Sequence, residues 1–172
     1  MSSIPNSYRT PHGLTDDLRV LVLQQSSVVL GTINPDGSPH MTMLLFSLGE
    51  DDRMYLPTPR TTRKVKNILA RPTVTALVTI EGGWASCTGS ARVIEGTPAA
   101  ELNRGVRERL FNETGLATMG RFLAAHEDTT IEIAPTKWLS WTMDTVLPWF
   151  ADNGINLAEH DGAWMKDLTA ET

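Results

Sequence analysis

Two hydrophobic periods share the chain. Residues 28–48 (VVLGTINPDGSPHMTMLLFSL) form two β-rich runs on either side of Asp36–Gly37, a turn signal, and predict a hairpin. Glu50–Asp52 is a second turn and 53–58 a third strand, so three sequential antiparallel strands predict a meander. Upstream, Leu14, Leu18, Leu21 and Val22 recur at helical spacing behind a cap at Thr15 or Asp16, and that helix should stop near Gln25. Downstream, Val65, Ile68 and Leu69 give a helix over 63–70 one apolar stripe, with Thr61 or Thr62 as cap and Arg71–Pro72 as its end.

The pattern then returns to strands over 73–80 and 84–94, joined by a turn at Glu81–Gly83. Gly31 and Gly89, each inside a strand, mark a bulge or a close approach by another group. Pro98 suits a first helical position before a helix over 99–111, followed by a short helix over 119–125 and a last strand over 129–141. Residues 1–13, with two prolines and a glycine, read as an irregular arm. Residues 14–143 form one domain, and 144–172 an acidic extension whose Trp149, Phe150 and Trp164 predict that it docks on the body. Antiparallel strands spaced by helices predict a mainly β (α+β) fold, a closed or split barrel with peripheral helices.

Composition narrows the function classes. The chain has 172 residues, 41% hydrophobic and 20% charged, which suits one soluble domain with a real core. A net charge of −5 argues against nucleic acid or an anionic membrane as partner. No apolar run reaches membrane-spanning length, the N-terminus lacks signal-peptide order, and the lone Cys87 suits a reducing compartment, so a cytoplasmic location is expected. The histidines lack partners at metal-ligand spacing, and GxSxG, Walker A and GxGxxG are absent from the sequence, which removes zinc, hydrolase and Rossmann readings.

One charge pattern stands out. Arg60, Arg63, Lys64, Lys66 and Arg71 fall between Asp52 and Glu81 with no intervening acid. Cations at a helix N-terminus suit a phosphate, and a solvated basic face is the plainer reading of the same residues. On the strand 39–45, His40, Thr42 and Leu44 share one side and Met41, Met43 and Leu45 the other. Either side could rest on a ring system, or simply fill a core. Trp84, Trp138 and Trp141 are stacking candidates or core fillers.

The segments LGTINPDGSPHMTMLLFSL, MYLPTPRTTRKVKNILARPTVTALV and GGWASCTGSARVIE together resemble the pyridoxamine 5′-phosphate oxidase-like superfamily of flavin- and deazaflavin-binding split barrels. The resemblance spans about 18–141 and is most specific at Arg63-Lys64-x-x-Asn67 and at the DGxPH hairpin. It implies a six-stranded antiparallel split β-barrel, a homodimer, and FMN or coenzyme F-420 held at the interface beside a small-molecule substrate. Met41, Thr42, Met43 and Leu44 would line the ring through backbone groups. Thr58, Arg63 and Lys64 would hold the phosphate, with Asn67 supporting the helix, while Trp84 would reach the partner's site and Trp138 would come near the ring. The implied activity is hydride transfer to or from an unsaturated or imine-like substrate, with His40 or a bound water as the candidate acid. A barrel that stores flavin, deazaflavin or haem without turnover is the alternative, and a structural dimer that has lost its cofactor is a third. The Arg-x-His substrate motif of the B6 oxidases proper is missing, so B6 oxidation is not expected. Arg60 and Lys66 would suit the longer anionic tail of F-420, towards which the resemblance leans.

Overall fold

The computed structural model describes residues 9–10 and 14–156. Alternation decides the strands. In β6 (Thr73–Ile80) Val74, Ala76, Val78 and Ile80 are buried, while the residues between them face outward. The same logic builds β2 (Ser27–Ile33), β3 (Pro39–Leu45), β5 (Met54–Thr58), β7 (Gly83–Glu95) and β8 (Thr129–Thr142). Two-residue strands β1 (Arg9–Thr10) and β4 (Ser47–Leu48) complete the set. The sheet runs β3-β2-β6-β7-β8-β5-β4 with antiparallel pairings, and β1 lies against β8. Residues 9–10 of the expected irregular arm are therefore strand. Six long strands rolled around one core, with helices at the periphery, make the split barrel that the sequence predicts.

Helix α1 (Asp16–Leu23) starts where Thr15 accepts from the amide of Leu18, and it buries Leu18 and Val22. Helix α2 (Arg63–Ala70) occupies the predicted span and buries Val65, Asn67 and Ile68. Helix α3 (Gly96–Leu110) begins two residues before Pro98, in the first turn, where a missing N–H costs nothing. Short helices α4 (Glu113–Gly115) and α5 (Arg121–His126) flank a π-helical turn, and α6 (Leu147–Asp152) lies in the C-terminal extension. Trp164 lies outside the described residues.

Two expectations fail here. The first three strands do not form a meander: β3 pairs only with β2, and β5 pairs with β8 and with the short β4. The chain leaves the β3 ladder at Phe46, whose fully buried ring turns into the core and stacks beneath the guanidinium of Arg109. That departure opens a seam where β3 lies beside β5 without ladder pairing. Nor does Gly31 mark a bulge, because β2 keeps unbroken register with both neighbours. Gly89 does, with the register shifting between Thr88 and Gly89.

Candidate cofactor site

The chain passes from Thr58, the last residue of β5, to α2 through Pro59, Arg60, Thr61 and Thr62. Thr62 holds the cap position with extended backbone, but its hydroxyl donates to the Pro59 carbonyl at 2.9 Å and caps nothing. The first amides of α2 are left without a side-chain acceptor, at the positive end of the helix dipole. Lys64 is half-buried there, and desolvation holds its ammonium below its usual range. Among the described residues Arg63, Lys64 and Lys66 take part in no ion pair. Arg60 is already engaged: its guanidinium meets Glu95 at 2.6 Å and its amide donates to Asp128 at 2.7 Å. The Arg71 guanidinium donates to the Asn34 carbonyl at 2.8 Å.

Across the corner, β3 ends the sheet and turns one backbone edge towards the seam. Met41 and Met43 point outward and are 69% and 71% exposed, whereas Leu44 is core and Thr42 and His40 face inward. Four buried polar atoms here have no hydrogen-bond partner: His40 Nδ1, Thr42 Oγ1, Thr58 Oγ1 and Asn67 Oδ1. They sit on β3, the end of β5 and α2, the elements that meet at this corner. Leaving such atoms unmatched costs about 1–3 kcal/mol each, a cost that polar groups supplied by a bound molecule would offset. Oxygen-rich linkers ending in a phosphate fit this donor and acceptor set, and the residues present therefore fit a flavin-type mononucleotide.

The tryptophans divide. Trp84 is half-buried on the outer face, cross-strand from Trp141, so it is available to a neighbour. Trp138 is 2% exposed and belongs to the core beside Cys87, with its indole N–H unpartnered. In the single chain it offers no face to a ring. Burial pushes the Cys87 thiol up to about 12, which removes it as a nucleophile.

Two clefts lie elsewhere on the barrel, and neither is lined by a residue of α2. An apolar groove of about 420 Å³ on the outer face is lined by Val29, Gly31, Ile33, Met41, Thr75 and Leu77. The larger cleft, about 860 Å³, lies away from α2, between α3 and β4–β5. Its polar end is Glu132, whose carboxylate is already held by Arg53 at 2.8 Å and by Arg92 at 2.6 and 2.9 Å. Sequence reasoning missed Thr32 and Asn34, which bind the buried Asn67 amide. Asn34 is legible only as a turn residue, and nothing local ties either residue to α2.

A sequence model described as pyridoxamine 5′-phosphate oxidase matches residues 14–142. Solved structures share the fold. A conserved hypothetical protein of Mycobacterium tuberculosis superimposes with a TM-score of 0.64 at 20% identity, over 81% of this chain and 91% of its own. HutZ, the heme storage protein of Vibrio cholerae, does so at 0.60 and 13% identity, over 76% and 96%. General Stress Protein 26 of Bacillus anthracis gives 0.53 and 21% identity, over 70% and 88%. No curated protein sequence matches significantly. At such identities the superpositions establish the barrel alone, while the sequence model covers three-quarters of the chain. This chain belongs to the pyridoxamine 5′-phosphate oxidase family.

Proposed function

We propose that the protein is a flavin-dependent oxidoreductase that holds FMN at the corner of β3, β5 and α2. One observation carries the reading: an uncapped, cationic helix N-terminus stands beside four buried polar atoms that lack partners. Lys64 and Arg63 with the first amides of α2 would take the phosphate, Thr58 the adjoining oxygens, and the free edge of β3 from Met41 to Leu44 the polar rim of the ring. Bound there, the flavin would supply hydride transfer to or from a small unsaturated or imine-like substrate. The chain's own contribution is placement, exclusion of water and, at His40, a proton.

FMN is favoured over F-420 because, of the two cations expected to receive a long anionic tail, the Arg60 guanidinium is engaged by Glu95, which leaves Lys66 alone for that role. The exposed Met41 and Met43, the apolar groove beside them and the Trp84–Trp141 pair support a homodimer through this outer face, with each Trp84 reaching towards the other copy's site. Residues 14–143 would be the cofactor domain and 144–172 an extension on it or on the dimer.

A non-catalytic binding or storage barrel is the second reading, favoured by the fact that His40 is the only titratable side chain on the inward face of β3. Titration of the purified protein with FMN and with F-420, followed by reduction and reoxidation with candidate substrates, separates these readings. FMN is expected to bind more tightly than F-420, and Lys64→Ala to weaken FMN about tenfold or more with the apo thermal midpoint unchanged. Binding without any turnover would favour storage, and binding of neither cofactor would end the oxidoreductase reading and leave haem as the ligand to titrate for the storage reading.

A further inference from the structure

Helix α2 grips the β2–β3 hairpin with one face of its C-terminal half. Asn67 is 2% exposed, and its amide nitrogen donates to Thr32 Oγ1 at 3.0 Å and to Asn34 Oδ1 at 3.1 Å. One turn on, Arg71 donates to the carbonyl of the same Asn34. Thr32, also 2% exposed, passes its own proton to the carbonyl of His40, its partner across the ladder, at 3.4 Å. Asn34 meanwhile closes the hairpin turn: its amide donates to the Ser38 carbonyl, its carbonyl accepts from Gly37, and its side chain donates to Ser38 Oγ. Each donor and acceptor in this chain is used in one consistent sense. It links the helix that carries Lys64 to the strand that carries Met41.

We infer that Asn67 is a positioning residue that locks α2 to the β2–β3 hairpin through Thr32 and Asn34, so that the phosphate and the ring of one ligand are recognised jointly. This rests on the cofactor reading above, which leaves Asn67 Oδ1 open, and adds to it a separate part played by the amide nitrogen. Both hydrogens of its amide are spent on the hairpin, so it does not present them to a phosphate. An eight-residue helix is about 12 Å long and stiff on that scale. With one end bolted to the hairpin, the other is held at a fixed distance from the β3 edge. Buried hydrogen bonds hold such spacing firmly because no water competes for them. A ligand that spans both half-sites then loses little freedom on binding.

The test compares FMN with riboflavin, which carries the ring without the phosphate. Flavin fluorescence quenching gives both dissociation constants for the full chain, for Asn67→Ala and for the isosteric Thr32→Val, which keeps a β-branched side chain in the strand. The ratio of the riboflavin to the FMN constant measures what the phosphate adds. Both variants are expected to lower that ratio about fivefold or more while changing the riboflavin constant little. If FMN and riboflavin weaken by the same factor, or neither weakens, Asn67 only stabilises the fold and the inference is overturned. Thr32→Val decides the matter alone if Asn67→Ala does not fold. Should the wild type prefer F-420, the same ratio is read from F-420 and the phosphate-free deazaflavin. Wild-type protein that binds neither cofactor removes the functional reading itself, a result distinct from an unchanged ratio.

Discussion

Glu132 shows how a single side chain on the barrel wall can carry a condition-dependent share of stability. It lies opposite Tyr55 on β5 and Arg92 on β7, and its nearly buried carboxylate is bridged by Arg92 and Arg53. The hydrogen bond from Arg92 does most to hold this carboxyl below the usual 4.5, against the opposing effect of burial. An acid lowered on folding contributes stability in full above its unfolded value and loses it as pH falls through the folded one. Glu132→Gln should therefore cost roughly 1–2 kcal/mol near neutral pH. In thermal melts the gap to wild type should narrow as pH drops below about 4.5; a gap independent of pH would show that the carboxylate charge is irrelevant. Residue-level chemistry of this kind was only partly legible in the sequence. The excess of cations around α2 stood out, but not that Glu95 takes the Arg60 guanidinium and Asp128 its backbone amide, while Arg63 and Lys64 are in no ion pair among the described residues. Those acids lie 35 and 68 positions away, and local pattern carries no information at that range.

At the scale of elements, periodicity placed α2 and β6 at their observed bounds, because each buries one face whose spacing is written in the sequence. Where a strand must accommodate another backbone, composition spoke as well. A Cβ on Gly89 would stand 2.3 Å from the Ala134 carbonyl oxygen, and the β8 partner at that point is Pro135, which has no amide to give the ladder. One residue, Thr136, is left over on β8 and donates its hydroxyl to the Thr88 carbonyl at 3.0 Å. Gly89→Ala is expected to destabilise by about 2–3 kcal/mol, read as a lowered denaturation midpoint. Gly31→Ala, whose Cβ would meet the Thr75 carbonyl at 3.4 Å, makes the control. Equal effects at the two positions would contradict the bulge as the cause. The meander failed for a reason no window of sequence contains: β5 finds its ladder on β8, more than seventy residues later, and that choice opens the seam.

For the whole molecule, the proposed dimer turns on the outer face of β3. Methionines more than two-thirds exposed beside an apolar groove are what a surface awaiting a second copy presents. The double substitution Met41→Lys with Met43→Lys should convert a dimer into a folded monomer in sedimentation equilibrium, with FMN affinity falling alongside. A monomeric wild type would refute the interface, and a dimer that survives both lysines would place it elsewhere. No helix among the described residues is long and apolar enough to cross a membrane.

The sequence by itself determined the elements, the antiparallel β-rich class and the cationic helix. Each of these depends on near neighbours in the chain: the spacing of apolar side chains, turn chemistry and local charge. Tertiary structure alone decided which strands pair, that Trp138 is core while Trp84 faces outward, which cation an acid neutralises, and that Asn67 joins helix to hairpin. Those outcomes depend on groups far apart in the chain, whose free energies are set by burial and by geometry that exists only once the barrel has closed.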